Sequence, residues 1–228
     1  MFNKSISKTI ARLFVVLSLA LAGLLALNSK ADANEADTSD ELETDESHYL
    51  IMFGSQSTIK LPSRSHTWAT MVTISADGSK REETISWLPI EGYFAPGNAM
   101  PLTSAVPGRN YDLDETLQLT RNRSVNFWGP FQVTEVLYQS FVRRKQQLDA
   151  GQIRYKMIVS DPGKRAFLSN CIMAVSESFG YFRTGTDHGF SASLGVLKFF
   201  APQILNFPRV ARPEIINQLR INDRIRNR

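Results

Sequence analysis

Residues 66–88 read HTWATMVTISADGSKREETISWL, and this is the stretch that decides the fold. β-Branched and aromatic side chains dominate its first ten residues, as is typical of strands. Asp77-Gly78 is a strong turn signal, and the run from Glu83 to Leu88 has the composition of a returning strand. We therefore predict an antiparallel hairpin, which places the chain in the α+β class with helices packed on an antiparallel sheet.

The register of the hairpin decides which side chains share a face of the sheet. A two-residue turn at Asp77-Gly78 pairs Trp68 with Trp87 and leaves His66 at the open end of the hairpin. Strand alternation puts His66 and Trp68 on one face. In this register Ser86 points to the opposite face.

The clearest helix is predicted over residues 134–150, with Thr134 as its N-cap and Gly151 after its last turn. Its apolar positions predict an inner face formed by Val133, Leu137, Phe141 and Leu148. The basic run Arg143-Arg144-Lys145 is interpreted as a solvated outer face.

Cys171 is the only cysteine of the chain and lies in Ser169-Asn170-Cys171-Ile172. Ser169 and Asn170 are both good N-cap residues, so Cys171 is expected in the first turn of a helix. Unpaired N–H groups at a helix start favour a thiolate and lower the pKa of a thiol. The alternative is that Cys171 is a small buried apolar residue on an amphipathic helix.

The first 33 residues have the layout of a secretory signal peptide. Lys4, Lys8 and Arg12 precede an apolar run over residues 13–27, and Ala31-Asp32-Ala33 resembles a cleavage site. We expect an exported protein, periplasmic or extracellular, although an uncleaved N-terminal anchor remains the alternative. A lone thiol in an oxidising compartment favours either deep burial or a use.

Charge is distributed unevenly along the rest of the chain. Residues 34–47 carry seven carboxylates and no base, which predicts an acidic disordered linker. Residues 209–228 carry six arginines and are interpreted as an arginine-rich C-terminal tail. The α+β domain is assigned to residues 48–208. Without the leader the chain has 22 basic and 21 acidic residues, so we expect no nucleic-acid partner. No later segment is long and apolar enough to span a membrane, so we expect the mature form to be soluble.

A histidine at the start of an early hairpin, then a helix, a strand and Asn-Cys opening a later helix form a recognisable order. Over residues 48–180 this order resembles the circularly permuted papain-like family, which includes lecithin–retinol acyltransferase and bacterial cell-wall cysteine peptidase relatives. The resemblance implies that Cys171 is the nucleophile and His66 is the base. It also implies a polar residue on the second hairpin strand, for which Ser86 is the first candidate and Glu83 the second. The chain departs from many members of the family in having Ile172-Met173 after Asn-Cys.

The function that the resemblance implies is that of an exported thiol hydrolase or acyltransferase. It would act on an amide or ester of a cell-envelope component, with Trp68, Trp87 and the loop at 89–107 lining the cleft. Three histidines and one cysteine show no metal-ligand spacing, so no metal or cofactor is expected, and His188 is interpreted as a structural loop residue. The alternative is a non-catalytic exported domain that binds an envelope component or a partner protein.

Overall fold

The structure is a computed structural model. The described residues are 46–58, 65–90, 104–159, 161–164, 166–179, 189–206 and 213–227. The expected leader lies outside them, as do most of the acidic linker, most of the loop at 89–107, and His188.

Eight strands and six α-helices are formed within these ranges. The strands are β1 (Ser47–Gln56), β2 (Ser65–Ile74), β3 (Lys80–Ile85), β4 (Trp87–Pro89), β5 (Val106–Asn110), β6 (Ser124–Gln132), β7 (Arg154–Tyr155) and β8 (Leu168–Ser169). The helices are α1 (Leu113–Leu119), α2 (Glu135–Asp149), α3 (Cys171–Ser176), α4 (Gly189–Phe200), α5 (Pro213–Gln218) and α6 (Ile221–Arg226). Short 3-10 turns are formed by Pro162–Lys164, Glu177–Phe179 and Ala201–Gln203.

The strands form two sheets, and the prediction of an α+β fold with antiparallel strands is confirmed. The first sheet has the order β3-β2-β1-β6 and is antiparallel throughout. The second has the order β4-β5-β7-β8, in which only the short pair β7 and β8 is parallel. The chain passes from the first sheet to the second at Ser86, the single residue between β3 and β4.

The hairpin is present, but the predicted register is wrong by one residue. Ile74 pairs with Lys80, so five residues, 75–79, connect the strands in place of a two-residue turn. Gly78 adopts a φ of 78° within this connection, and Ser75 N–H donates to the Ser79 carbonyl at 3.1 Å. Because a slip of one residue moves every side chain to the other face, Ser86 comes to the side of His66 and Trp68.

Each face of the first sheet is covered by helices. The first core, on the side of α2, α3 and α4, includes Leu50, Met52, Ala69, Met71, Trp87, Leu137, Phe141, Cys171, Ala174 and Val196. The second core, on the side of α1, α5 and α6, includes Tyr49, Ile51, Phe53, Trp68, Val72, Leu113, Leu117, Ile215, Leu219 and Ile221. Trp68 and Trp87 therefore belong to different cores and do not form the predicted cross-strand pair.

The arginine-rich C-terminal segment, which we assigned to residues 209–228, packs on the domain where the structure describes it. Over residues 213–227 it forms α5 and α6. Ile215, Leu219 and Ile221 of this segment are buried in the second core. Arg224 of α6 also contacts carboxylates of β3 and α1, with Nη1 2.9 Å from Glu82 Oε1. The apolar residues between the arginines explain this packing, because they supply a buried face that the charge count does not reveal.

Helix α2 confirms most of its predicted inner face. Leu137, Phe141 and Leu148 are buried, and Thr134 Oγ1 caps the helix by accepting from Leu137 N at 3.3 Å. Arg144 departs from the prediction, because its side chain is buried and not on a solvated face. None of the helices within the described ranges has the length and apolar character needed to cross a membrane.

Replacing Gly54 with alanine should destabilise the contact between β1 and α4. A Cβ at this position would lie 2.6 Å from Ser193 Oγ, which donates to the Phe53 carbonyl at 2.8 Å. Overpacking of this kind costs about 1–3 kcal/mol, and we expect Gly54→Ala to lower the free energy of unfolding by that amount in urea titrations. Ser193→Ala removes the clashing oxygen, so the double variant should lose less stability than the two single losses added together. A double variant that loses the full sum would contradict this contact.

Candidate active site

The candidate site lies at the edge of β2 that β3 leaves open. β3 ends at Ile85 opposite Ala69, whereas β2 continues to Ser65. The backbone N–H of Thr67 donates a hydrogen bond to the sulfur of Cys171 along this open stretch. The first residue of α3 therefore sits beside the strand residue that follows His66.

Local hydrogen bonds explain why α3 begins at Cys171. Asn170, and not Ser169, is the N-cap, and its Oδ1 accepts from Met173 N at 2.9 Å. Its Nδ2 donates to the Met157 carbonyl at 3.0 Å, which fixes the cap to the segment after β7. The predicted position of Cys171 in the first helical turn is thus what the structure has.

A buried ion pair fixes both ends of the segment that carries Cys171. Arg144 of α2 contacts Glu177, which follows α3, through Nη2, and both side chains are less than a tenth exposed. The same Nη2 donates to Ser169 Oγ, two residues before Cys171, at 3.2 Å. Position 144 lies three residues after Phe141 and four before Leu148, so helical periodicity alone would have placed it on the inner face.

The pKa of the Cys171 thiol is shifted opposite to the direction that its position at a helix start predicts, and Cys171 has the burial that we gave as the alternative. Burial raises its pKa, and the side chain is only 8% exposed. The N–H groups of Thr67, Ile172 and Cys171 and the charge of Arg123 act in the opposite direction without overcoming burial. Local position at a helix start favours the thiolate, but the depth of the core decides the outcome.

His66 is buried and neutral. Its exposure is 1%, its ring stacks on Trp68 with centroids 5.2 Å apart, and burial lowers its pKa to about 3, with a smaller contribution from the charge of Arg123. Nε2 lies 2.9 Å from Ser86 Oγ. Nδ1 has no hydrogen-bond partner among the residues that the structure describes.

Ser86 is held by residues at the end of the second sheet and in α1. Its N–H donates to Asn110 Oδ1 at 2.8 Å, and its carbonyl accepts from Tyr111 N at 3.1 Å. Its hydroxyl lies 2.8 Å from Thr116 Oγ1, in α1. Sequence reasoning missed Thr116, although it shares the buried face of α1 with Leu113 and Leu117.

The structure brings His66 and Ser86 together, whereas the contact that connects Cys171 to this strand is with the backbone of Thr67 and not with the His66 ring. His66 lies on the face of Trp68, whereas Cys171 belongs to the first core, so the two groups reach the open edge of β2 from different sides. Glu83, the second candidate for the orienting residue, pairs with Met71 and contacts Arg81 at 3.9 Å, away from His66.

Burial also changes the expected lining of the cleft. Trp68 and Trp87 are both fully buried, so in this structure they support the site from within the two cores and do not line an open cleft. Across the described ranges, histidine, cysteine and carboxylate side chains form no group of three or more that could hold a metal ion.

Comparisons with known proteins add no relative. No protein-family model, no curated protein and no solved structure matches the chain.

Proposed function

We propose that this protein is an exported cysteine hydrolase or acyltransferase with Cys171 as nucleophile, His66 as general base and Ser86 as the residue that orients the base. The observation that carries the proposal is the arrangement of the His66 ring. Ser86 engages Nε2, and Nδ1 is left without a partner in the described part of the chain, while Thr67, the residue after His66, contacts the sulfur of Cys171 through its backbone N–H.

The chemistry follows from these roles. Nδ1 of His66 takes the thiol proton, directly or through one water, as the sulfur forms a bond to the acyl carbon of an amide or ester. The developing oxyanion is stabilised by the backbone N–H of Cys171. When the C–N or C–O bond breaks, the leaving group takes the proton from His66, and a thioester remains. Attack on the thioester by water, an amine or a hydroxyl group then releases the acyl group and the thiol.

The predicted leader and the family resemblance together suggest an amide or ester of a cell-envelope component as the substrate. The second candidate function is that of a non-catalytic exported domain that binds such a component or a partner protein. The burial of both Cys171 and His66 is the observation that favours it. A buried thiol and a buried imidazole are compatible with either function, so the reactivity of Cys171 must distinguish the two functions.

Alkylation of Cys171 should depend on His66 at neutral pH. Because Cys171 is the only cysteine, the uptake of iodoacetamide reports on it alone. We expect the folded wild type to react at pH 7 at least about tenfold faster than His66→Gln, since a general base contributes roughly 10²–10⁴-fold. In His66→Gln the reaction should begin only above the ordinary thiol pKa of about 8.5, because burial raises the pKa of Cys171.

His48→Gln is the matched control. His48 is also buried, but it contacts Thr73 Oγ1 at 3.0 Å and Glu135 Oε2 at 2.7 Å on another part of the sheet. This variant should alkylate at the rate of the wild type. Equal rates in wild type and His66→Gln, or no reaction in either, would remove the enzyme proposal and leave the binding domain.

A further inference from the structure

Three side chains and one backbone carbonyl form a continuous chain of short contacts behind His66. His66 Nε2 lies 2.9 Å from Ser86 Oγ, and Ser86 Oγ lies 2.8 Å from Thr116 Oγ1. Thr116 Oγ1 lies 2.6 Å from the carbonyl oxygen of Asp112. His66, Ser86 and Thr116 are all buried, so within the described part of the chain these side chains satisfy their hydrogen bonds through these contacts.

The carbonyl at the end of the chain determines the direction of every proton in it. A carbonyl oxygen only accepts, so the single hydroxyl proton of Thr116 points to Asp112. Thr116 Oγ1 is placed to donate to Ser86 Oγ at 2.8 Å as well, but it has a single proton, and we assign that proton to the shorter contact, with the carbonyl, so that Oγ1 accepts the hydroxyl proton of Ser86. Ser86 Oγ, having used its own proton, accepts from an N–H at Nε2 of His66. The opposite direction would leave the oxygens of Thr116 and Asp112 2.6 Å apart with no proton between them.

The Asp112 carbonyl is itself fixed in place. It accepts from Thr116 N at 3.0 Å as the first hydrogen bond of α1. Asp112 is the N-cap of that helix and forms a capping box with Glu115, in which Glu115 N donates to Asp112 Oδ1 at 2.8 Å. The acceptor therefore belongs to a rigid helix start.

We propose that Thr116 is a positioning residue that, together with the Asp112 carbonyl, holds His66 in the tautomer with a proton on Nε2 and a bare lone pair on Nδ1. A neutral histidine carries only one ring proton, so fixing it on Nε2 keeps Nδ1 an acceptor. The catalytic meaning of this device rests on the proposed function, in which Nδ1 takes the proton of Cys171. The tautomer itself does not depend on any reaction.

The test is nuclear magnetic resonance of protein labelled with ¹⁵N in its histidine rings, recorded at pH 7. Long-range ¹H–¹⁵N correlations distinguish a protonated ring nitrogen from a bare one, and the loss of signals in His66→Gln assigns the ring. In the wild type we expect the proton on Nε2. In Thr116→Val, Ser86 loses its acceptor and turns its hydroxyl proton to Nε2, so the major tautomer should reverse to a proton on Nδ1.

Two further variants separate this role from a general structural one. Thr116→Ser keeps the hydroxyl and should restore the wild-type tautomer. Thr120→Val makes the same change one turn later in α1, at a buried threonine whose Oγ1 donates only to the carbonyls of Thr116 and Leu117 among the described contacts. It should leave the His66 spectrum unchanged.

The outcomes decide the two proposals separately. A proton on Nδ1 in the wild type overturns the positioning role without the need for any variant, and so does an unchanged tautomer in folded Thr116→Val. If the tautomer reverses while alkylation of Cys171 remains independent of His66, the positioning role stands and the proposed function falls. If the tautomer reverses and alkylation depends on His66, Thr116→Val should also slow alkylation of Cys171 by about tenfold or more, and Thr116→Ser should restore the wild-type rate.

Discussion

Lowering the pH from 6.5 to 3 should remove about 4 kcal/mol of the free energy of unfolding through His66 alone. Burial lowers the pKa of His66 from 6.5 to about 3, so between these values the unfolded chain binds a proton that the folded protein excludes. Stability from this group is fully present above pH 6.5. It is lost as the pH falls towards 3, because protons favour the state that binds them.

Urea unfolding of the wild type and of His66→Gln between pH 3 and pH 7 measures this contribution. Glutamine does not titrate, so the variant should show a flatter decline of stability with acid, whatever its loss of stability at pH 7. Carboxylates titrate in the same range in both proteins and cancel in the comparison. Parallel declines would mean that His66 is protonated in the folded state, and the neutral base of the proposed reaction would be lost with it.

Arg144→Met should cost about 3–5 kcal/mol of unfolding free energy, as expected for a buried ion pair that loses one partner. The substitution preserves an unbranched apolar stem but leaves the Glu177 carboxylate, which is only 9% exposed, without the guanidinium against it. It also removes the donor to Ser169 Oγ. Thermal or urea unfolding of the purified variant gives the loss directly.

Two comparisons show that the loss comes from the buried charge. Arg144→Met combined with Glu177→Met replaces both partners by apolar groups and should recover most of the lost stability. Lys145→Met removes the next cation along the helix, whose pair with Asp149 is partly exposed, and should change stability by about 0.5 kcal/mol or less. Similar losses in Arg144→Met and Lys145→Met would show that burial of the pair contributes nothing.

Local signals in the sequence were sufficient for the elements that place the site. The hairpin followed from strand composition and a turn signal, helix α2 from its cap and periodicity, and the start of α3 from Asn170. Each of these depends on neighbouring residues and little else. The same is true of the position of Cys171 in the first helical turn.

The register of the hairpin could not be obtained in this way. It depends on whether the chain turns over two residues at Asp77-Gly78 or over the five residues 75–79, and both are compatible with a glycine at 78. One residue of difference decides whether Ser86 meets His66 or points away from it. Ser86 was therefore named as a candidate from the family resemblance, while the direction of its side chain was predicted wrongly.

Tertiary contacts decided the remaining corrections. The cap before Cys171 favours a thiolate, but burial in the first core has the larger effect and raises the pKa of the thiol. Arg144 was assigned to solvent by its charge, although its partner Glu177 lies 33 positions away in the chain. Thr116 carries no local sign of its contact with Ser86, because the two meet only when α1 packs beside the end of β3.

Ser86 belongs to neither sheet, so the orientation of the His66 ring depends on both sheets. Its backbone forms hydrogen bonds with Asn110 and Tyr111 at the second sheet, while its hydroxyl contacts His66 in the first sheet. The imidazole therefore acquires its orientation only once both sheets have assembled around that single residue. In the proposed reaction, a chain whose two sheets had not yet assembled would therefore lack an oriented base for Cys171.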